Sequence, residues 1–376
     1  MKRKVIVALI FTSLLLTGCN SKGEISSGEQ ENSISSEYSF EEATSDAQTE
    51  TSDIAPDEIP SPFVIEELPR EGSNDTTELF TTLTYVDPRH IVNEWLPIVE
   101  ELDYTTVYLY TVPEGVEVIA SDAFRDFKNY DMEYRSFTME LPSTLKYIEK
   151  RAFKRRKVEY LEIPASVISI GDYAFEYAEM RRIKFNEGLQ TIGIGAFEQA
   201  DLDEIILPDS LTKLGDNAFA ENFDAKHLHI GSGLKTIPKR AFSSMHNYEG
   251  ELVIPDKVVK VEDGAFSGGG YTSVVIPNSV TLCDSAFVFS DNVTELHIPE
   301  SVKKLDIAGF FGMDSLKDVY ISDNTYIYDD RTGRDCYSVD DDRFKGMTTV
   351  FHYRGKDYTL QQMKEICMAS EEALKS

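Results

Sequence analysis

The chain has 376 residues, more than one average domain, and its 41% hydrophobic and 27% charged residues are ordinary for a globular protein. Its formal net charge of −29 at pH 7 is not ordinary. A surface this acidic repels nucleic acid and anionic lipid headgroups, so DNA binding is excluded as an expectation and solubility is the plain role of the charge.

The first residues address the compartment. Met1 to Lys4 is a basic stretch, and Val5 to Leu16 is an apolar run too short to span a bilayer but suited to a signal-peptide core. Leu16-Thr17-Gly18-Cys19 comes next and resembles a bacterial lipobox. The resemblance implies that residues 1–18 are a lipoprotein signal peptide and that Cys19 is acylated. The chain is then held by lipid at the outer face of a membrane in the bacterial cell envelope, without a transmembrane helix. Its only contact with membrane is through that N-terminal lipid.

Residues 19–62 are Ser-rich and acidic, and Lys22 is the only basic residue. Such a segment cannot bury enough apolar surface to offset its ordering entropy and is expected to be a disordered linker. As a flexible chain it spans roughly 40 Å, which holds the folded part away from the membrane. Residues 63–103 are expected to form an N-terminal capping segment. Asp87-Pro88 and the RHIVNEWLPIVEEL after them predict one short helix carrying Trp95, the only tryptophan.

From Tyr104 a repeat takes over. Phe124, Phe153, Phe175, Phe197, Phe219, Phe242, Phe266, Phe287 and Phe310 each follow a small residue, Ala in eight copies and Gly309 in the last. The spacings are 29, 22, 22, 22, 23, 24, 21 and 23 residues. Eleven residues before the Phe stands a Pro in most copies, as at Pro164, Pro208 and Pro299, with Pro277 one residue closer. Three residues after that position the residue is aliphatic in nine copies of nine, from Val116 to Val302. Before the Pro runs a short alternating strand, such as Tyr160-Leu161-Glu162-Ile163, whose side chains point alternately in and out. Pro ends the strand, a Ser or Gly two residues on helps the corner turn, Ala lets the next coil approach, and Phe fills the space between coils. One coil cannot bury its own apolar face, whereas stacked coils can, and a period in the low twenties is that of a leucine-rich repeat.

The pattern LxIPxSVxxIGxxAF resembles the BspA-type leucine-rich repeat, over nine copies in residues 104–322. The fold expected is a leucine-rich repeat solenoid, mostly β, of stacked short parallel strands with turns and short helical pieces. The resemblance implies a surface protein, and similar proteins are implicated in adhesion to host or matrix proteins and to other cells. Three departures stand out: an insertion of seven residues between Phe124 and Phe153, a missing residue between Pro277 and Phe287, and a polar insertion from Thr325 to Asp341. Residues 323–376 are expected to form a degenerate last coil and a helical cap with Leu360, Met363, Ile366 and Cys367 on one face.

No metalloprotease, nucleophile-elbow or phosphate-loop motif is present. His229 and His297 occupy the same repeat position three coils apart, roughly 14 Å at strand spacing, too far to share a metal. Cys283 reads as a small buried hydrophobe, and Cys336 and Cys367 are a possible pair. The acidic stretch 329–342 lacks EF-hand spacing. The expectation is therefore a protein that is not an enzyme and needs no metal or cofactor.

What remains is surface. The outward positions of the pre-proline strands include Tyr160, Glu162, Arg182, Lys184, Ile206, His227, His229, Val253, Val275, His297 and Tyr320, and these are the candidate partner-binding residues. Ile206, His229, Val253 and Val275 form an apolar strip where solvent is expected. It reads either as a contact surface or as a β-favouring choice on an exposed sheet. The functional expectation is a lipid-anchored surface protein that binds a macromolecule, most simply a protein, and not nucleic acid. An envelope scaffold without a host ligand is the alternative, and an enzyme with its site on the insertions is the remote one.

Overall fold

The computed structural model describes residues 63–71, 78–86, 108–124, 137–283, 285–328 and 347–375. The expected signal peptide and linker, the helix expected after Pro88 and the acidic stretch 329–342 lie outside these residues, as do Cys19 and Cys336.

The strands open with a hairpin, β1 (Phe63–Pro69) and β2 (Leu79–Val86), and continue with β3 (Tyr108–Thr111), β4 (Val118–Ile119), β5 (Phe137–Glu140) and β6 (Tyr147–Ile148). The regular coils supply β7 (Val158–Ile163), β8 (Ser169–Ile170), β9 (Arg182–Phe185), β10 (Thr191–Ile192), β11 (Glu204–Ile206) and β12 (Lys213–Leu214). Next come β13 (His227–His229), β14 (Thr236–Ile237), β15 (Glu251–Val253), β16 (Lys260–Val261), β17 (Ser273–Val275) and β18 (Leu282–Cys283). The last are β19 (Glu295–Ile298), β20 (Lys304–Asp306), β21 (Asp318–Ile321), β22 (Tyr326–Tyr328), β23 (Val350–Tyr353) and β24 (Lys356–Thr359), with helix α1 (Leu360–Lys375) after them. The protein is a mostly β solenoid of stacked parallel strands, in which each coil gives one longer strand before the Pro position and one short strand after it.

The repeat motif has a local cause at each position. Pro is the first residue of a β-turn. Its carbonyl accepts from the N–H three residues on, as in Val167 to Pro164 at 3.0 Å, Val258 to Pro255 at 3.0 Å and Val302 to Pro299 at 3.1 Å. In the coils with Pro that donor is the aliphatic residue of the repeat, so turn and core anchor are one device. The hydroxyl near the turn ties coils together: Ser210 donates to the Leu189 carbonyl of the preceding coil at 2.9 Å. The glycine of IGxxAF lets coils approach, since a Cβ on Gly215 would stand 2.4 Å from the Ile194 nitrogen.

The Ala-Phe pair stitches the coils. The Phe175 N–H donates to the Ala196 carbonyl and the Phe197 N–H to the Ala218 carbonyl, both at 2.7 Å. The rings stack in one column. Phe153 and Phe175 lie 4.8 Å apart at 4°, and Phe197 and Phe219 lie 5.0 Å apart at 4°. To make this tight turn the backbone is left-handed two residues before and two residues after the Phe. Tyr173 and Tyr177 both have φ of 56°, and Asn217 and Glu221 have φ of 55° and 61°.

The short post-proline strands form a second row of sheets, the corner sheets, in the orders β1-β2-β4-β6-β8-β10-β12, β14-β16-β18 and β20-β22. The hairpin thus begins the first of them by pairing β2 in parallel with β4. This start was not expected from residues 63–86. Arg70 reinforces it, with its guanidinium 3.8 Å from the Tyr147 ring centroid and its Nε donating to Glu149 at 2.8 Å. At the other end α1 packs on β22, β23 and β24 and buries Leu360, Met363 and Cys367.

Candidate functional site

The pre-proline strands form the other sheet, here called the face sheet, and every candidate partner-binding residue lies on it. It falls into segments: β3-β5-β7-β9, β11-β13, β15-β17 and β19-β21-β23-β24. Register is strict within each. Tyr160 pairs with Arg182 and Glu162 with Lys184, Ile206 pairs with His229, Val253 with Val275, and His297 with Tyr320. The side chain nearest the Pro therefore forms one outward row along the solenoid, and the residue two before it forms a parallel row.

The face changes character along its length. At its N-terminal end it is polar and paired. Glu162 accepts from Lys184 Nζ at 2.7 Å and from Asn186 Nδ2 at 2.9 Å, and the Tyr160 hydroxyl donates to it at 3.4 Å. The Asn186 and Lys184 bonds hold the Glu162 carboxyl below the usual carboxylate range. Arg182 is exposed beside them. In the middle the face is apolar: Ile206 is 52% exposed, Val253 53% and Val275 42%. His227 and His229 are exposed on β13 among them.

At the C-terminal end the row becomes an aromatic stack. The Tyr320 ring lies between those of His297 and His352, 4.4 Å from each. His352 Nδ1 stands 2.8 Å from Asp357 Oδ1 and Nε2 stands 3.0 Å from Asp318 Oδ1. A carboxylate only accepts, so this arrangement favours the protonated imidazole, in which both ring nitrogens donate. The hydrogen bonds it donates to Asp318 and then to Asp357 hold its pKa above the ordinary value. His297 is a hydrogen-bond partner of Glu295. His352 was not among the residues expected at the site. Thirty-two residues separate it from Tyr320, and only the parallel pairing of β23 with β21 brings it into the row.

One feature of the face arises from the longest regular coil, the 24 residues between Phe242 and Phe266. The extra residues lie between Phe242 and β15, and β13 and β15 belong to different hydrogen-bonded segments, as β9 and β11 and β17 and β19 also do. The Tyr248 hydroxyl enters the gap, donating to the Glu251 carbonyl at 3.0 Å on one side and meeting the Leu228 backbone on the other. Beside it opens a cleft of about 520 Å³, lined among others by His229, Ile230, Val253, Pro255 and Asp256. The cleft thus lies inside the apolar strip. The unequal coil length was the sequence signal for it.

Among the described residues no group of three or more His, Cys, Asp and Glu side chains is arranged to hold a metal ion. Cys283 is buried on β18. No helix among the described residues is long and apolar enough to cross a membrane.

The family model of the BspA type leucine rich repeat region matches residues 103–226 and 215–340, with six copies. Among solved structures, a leucine-rich repeat protein from Bacteroides ovatus ATCC 8483 is similar with a TM-score of 0.52 and 23% identity, over 70% of this chain and 66% of that one. A leucine rich cell surface protein from Faecalibacterium prausnitzii A2-165 matches with a TM-score of 0.34 and 18% identity, over 71% of this chain and 88% of that one. The pneumococcal vaccine antigen PcpA matches with a TM-score of 0.37 and 20% identity, over 61% of this chain and 66% of that one. The Bacteroides likeness concerns the fold alone. No curated protein matches this chain.

Proposed function

The chain belongs to the BspA-type leucine-rich repeat family, and from that premise we propose that it binds a partner protein through its face sheet while anchored by lipid outside the cell. The observation that carries this reading is the strip of Ile206, Val253 and Val275, three aliphatic side chains about half exposed in one row, with His229 between the first two. Large apolar side chains held in a row on a rigid sheet cost free energy in water and gain it under a partner. The cleft between β13 and β15 gives that strip a concave centre, where an anchoring side chain is best desolvated. The rows of Tyr160, Glu162, Arg182 and Lys184 on one side, and His227, His229, His297 and Tyr320 on the other, form the polar and aromatic margin.

The lipobox-like Leu16-Thr17-Gly18-Cys19 supports the anchor and the extracytoplasmic location. The chain acts in this reading as an adhesive or docking surface and not as a catalyst. The test is an array of immobilised extracellular-matrix and bacterial envelope proteins probed with the full chain and with a Val253→Asp/Val275→Asp variant. The reading expects a bound protein whose signal the variant loses while its circular dichroism stays the same. Retention of every bound protein by the variant removes the face sheet from consideration. Separately, Cys19→Ser is expected to move the protein from the membrane fraction to the soluble fraction; unchanged membrane retention contradicts the lipid anchor.

A further inference from the structure

Beside the apolar row, two residues back along each strand, runs a second outward row, exposed except at the half-buried Ser273 and Asp318. From β11 to β21 it reads Glu204, His227, Glu251, Ser273, Glu295 and Asp318. The two rows are about 6.6 Å apart, two residues of strand rise. Neither row carries a Lys or Arg over this stretch; Arg182 and Lys184 are the last before it. The carboxylates of Glu204, Glu251 and Glu295 are exposed. Glu295 meets only a His within its own row pair, and Glu251 accepts from Ser273 Oγ at 3.3 Å. The cleft wall adds the carboxylates of Asp209 and Asp256 against the one cation of Lys257. The field of these groups reaches the apolar row: the Tyr320 hydroxyl is held above its ordinary pKa by desolvation and then by Asp318 and Glu295.

We propose that the face takes a cationic amphipathic helix of the partner, its apolar stripe on Ile206, Val253, Val275 and Tyr320 and its Lys or Arg stripe on Glu204, Glu251 and Glu295. This rests on the reading of the face sheet as the partner surface and adds the chemistry of what lies on it. Two adjoining rows, one apolar and one acidic, are complementary to a helix with adjoining apolar and basic stripes. Spacing favours a helix over a strand. Coils repeat every ~4.8 Å. A helix running along the solenoid brings a side chain to the same face every ~5.4 Å, whereas an extended strand does so only every ~6.6 Å. From Ile206 to Tyr320 there are five coil steps, about 24 Å, which about 16 helical residues span.

The test uses the full chain and two synthetic 16-residue helical peptides with the same leucine stripe, one flanked by Lys and the other by Glu, with binding read by fluorescence anisotropy. The Lys peptide is expected to bind and the Glu peptide not. Glu204→Gln/Glu251→Gln/Glu295→Gln is expected to weaken the Lys peptide about tenfold, the sum of three exposed charge pairs. Glu176→Gln/Glu198→Gln/Glu221→Gln removes the same charge from the turn side and is expected to leave affinity within about twofold. Equal weakening by both triple variants means bulk attraction to an acidic protein and overturns the proposal, as does equal binding of the Glu peptide. If the face triple variant keeps the Lys peptide and the array partner while Val253→Asp/Val275→Asp loses the partner, the cationic helix is rejected and the partner surface stands. If Val253→Asp/Val275→Asp keeps the array partner, the surface itself is rejected.

Discussion

The ring of Phe197 lies face to face with that of Phe175, centroids 4.9 Å apart and planes 6° from parallel. That separation is the distance between hydrogen-bonded strands, so one aromatic column and two sheets keep the same pitch. A phenylalanine fits the column because its ring fills one coil step. Phe197 is wholly buried and has a stacked neighbour on each side. Phe197→Ala is expected to cost about 3–5 kcal/mol, whereas Tyr160→Ala, on the exposed face, is expected to cost less than about 1 kcal/mol. Urea unfolding monitored by circular dichroism measures both, and equal midpoints would show that the column is not what holds the coils.

Asn222 is a second, less visible staple. It is wholly buried, its Nδ2 donates to the Phe197 and Phe219 carbonyls at 2.9 Å, and its Oδ1 accepts from the Leu202 N–H at 3.1 Å. Asn222→Leu fills the space and leaves three main-chain groups without that partner. A loss of at least about 2 kcal/mol is expected, since each buried unpaired group costs about 1–3 kcal/mol. The same unfolding experiment checks it.

His352 makes the C-terminal end of the face sensitive to pH. Its pKa in the folded chain is raised by Asp318 and Asp357. The stabilisation is then fully present below the ordinary histidine value and disappears as pH rises through the higher folded value. His352→Gln is expected to lower stability at pH 5 and to have a smaller effect at pH 9. NMR titration should find the His352 pKa above that of an ordinary histidine and lowered again in Asp357→Asn. A cost that is the same at both pH values contradicts the clamp.

Glu198 shows the same sign from another cause. Desolvation, then the charges of Glu176 and Glu221, hold its carboxyl above the usual range. Its protonated form is favoured in the folded chain, so its contribution is present below the unfolded pKa and lost as pH rises through the folded one. Glu198→Gln is expected to raise the melting temperature at pH 7 and to change it little at pH 4. Calorimetry at the two pH values decides this, and destabilisation at pH 7 sinks it.

The solenoid was legible because the same neighbour relation recurs in every coil. Val167, Phe175 and their counterparts meet copies of themselves, so one contact imposes one residue type nine times over. The inner and outer positions of the strands were legible for the same reason, and with them the exposure of Ile206, Val253 and Val275. The left-handed positions were not. Tyr173, Asn217 and Arg240 share a backbone conformation and no side-chain chemistry, because closure of the coil imposes it whatever residue is present. The role of Pro was only half legible. It ends the strand, but its carbonyl also opens the turn that the aliphatic residue closes.

The candidate site was legible as a set of rows and not as a shape. The gap at β13 and β15 falls in a coil with two extra residues, and Tyr248 acts there through a hydroxyl that no repeat column marks. His352 joins the row only by strand pairing across a long insertion. The acidic row was present in the columns, but its meaning depends on lying one strand step from the apolar row, with Lys and Arg absent from both.

Hydroxyl-radical footprinting of the full chain with a protein captured on the array tests the central claim most directly, since it reads the exposure of individual side chains. The account predicts that Ile206, Val253, Val275 and Tyr320 lose reactivity on binding while Tyr177 and Phe223 on the turn side keep theirs. Protection confined to the turn side, with the four face residues as reactive as in the free chain, would contradict it.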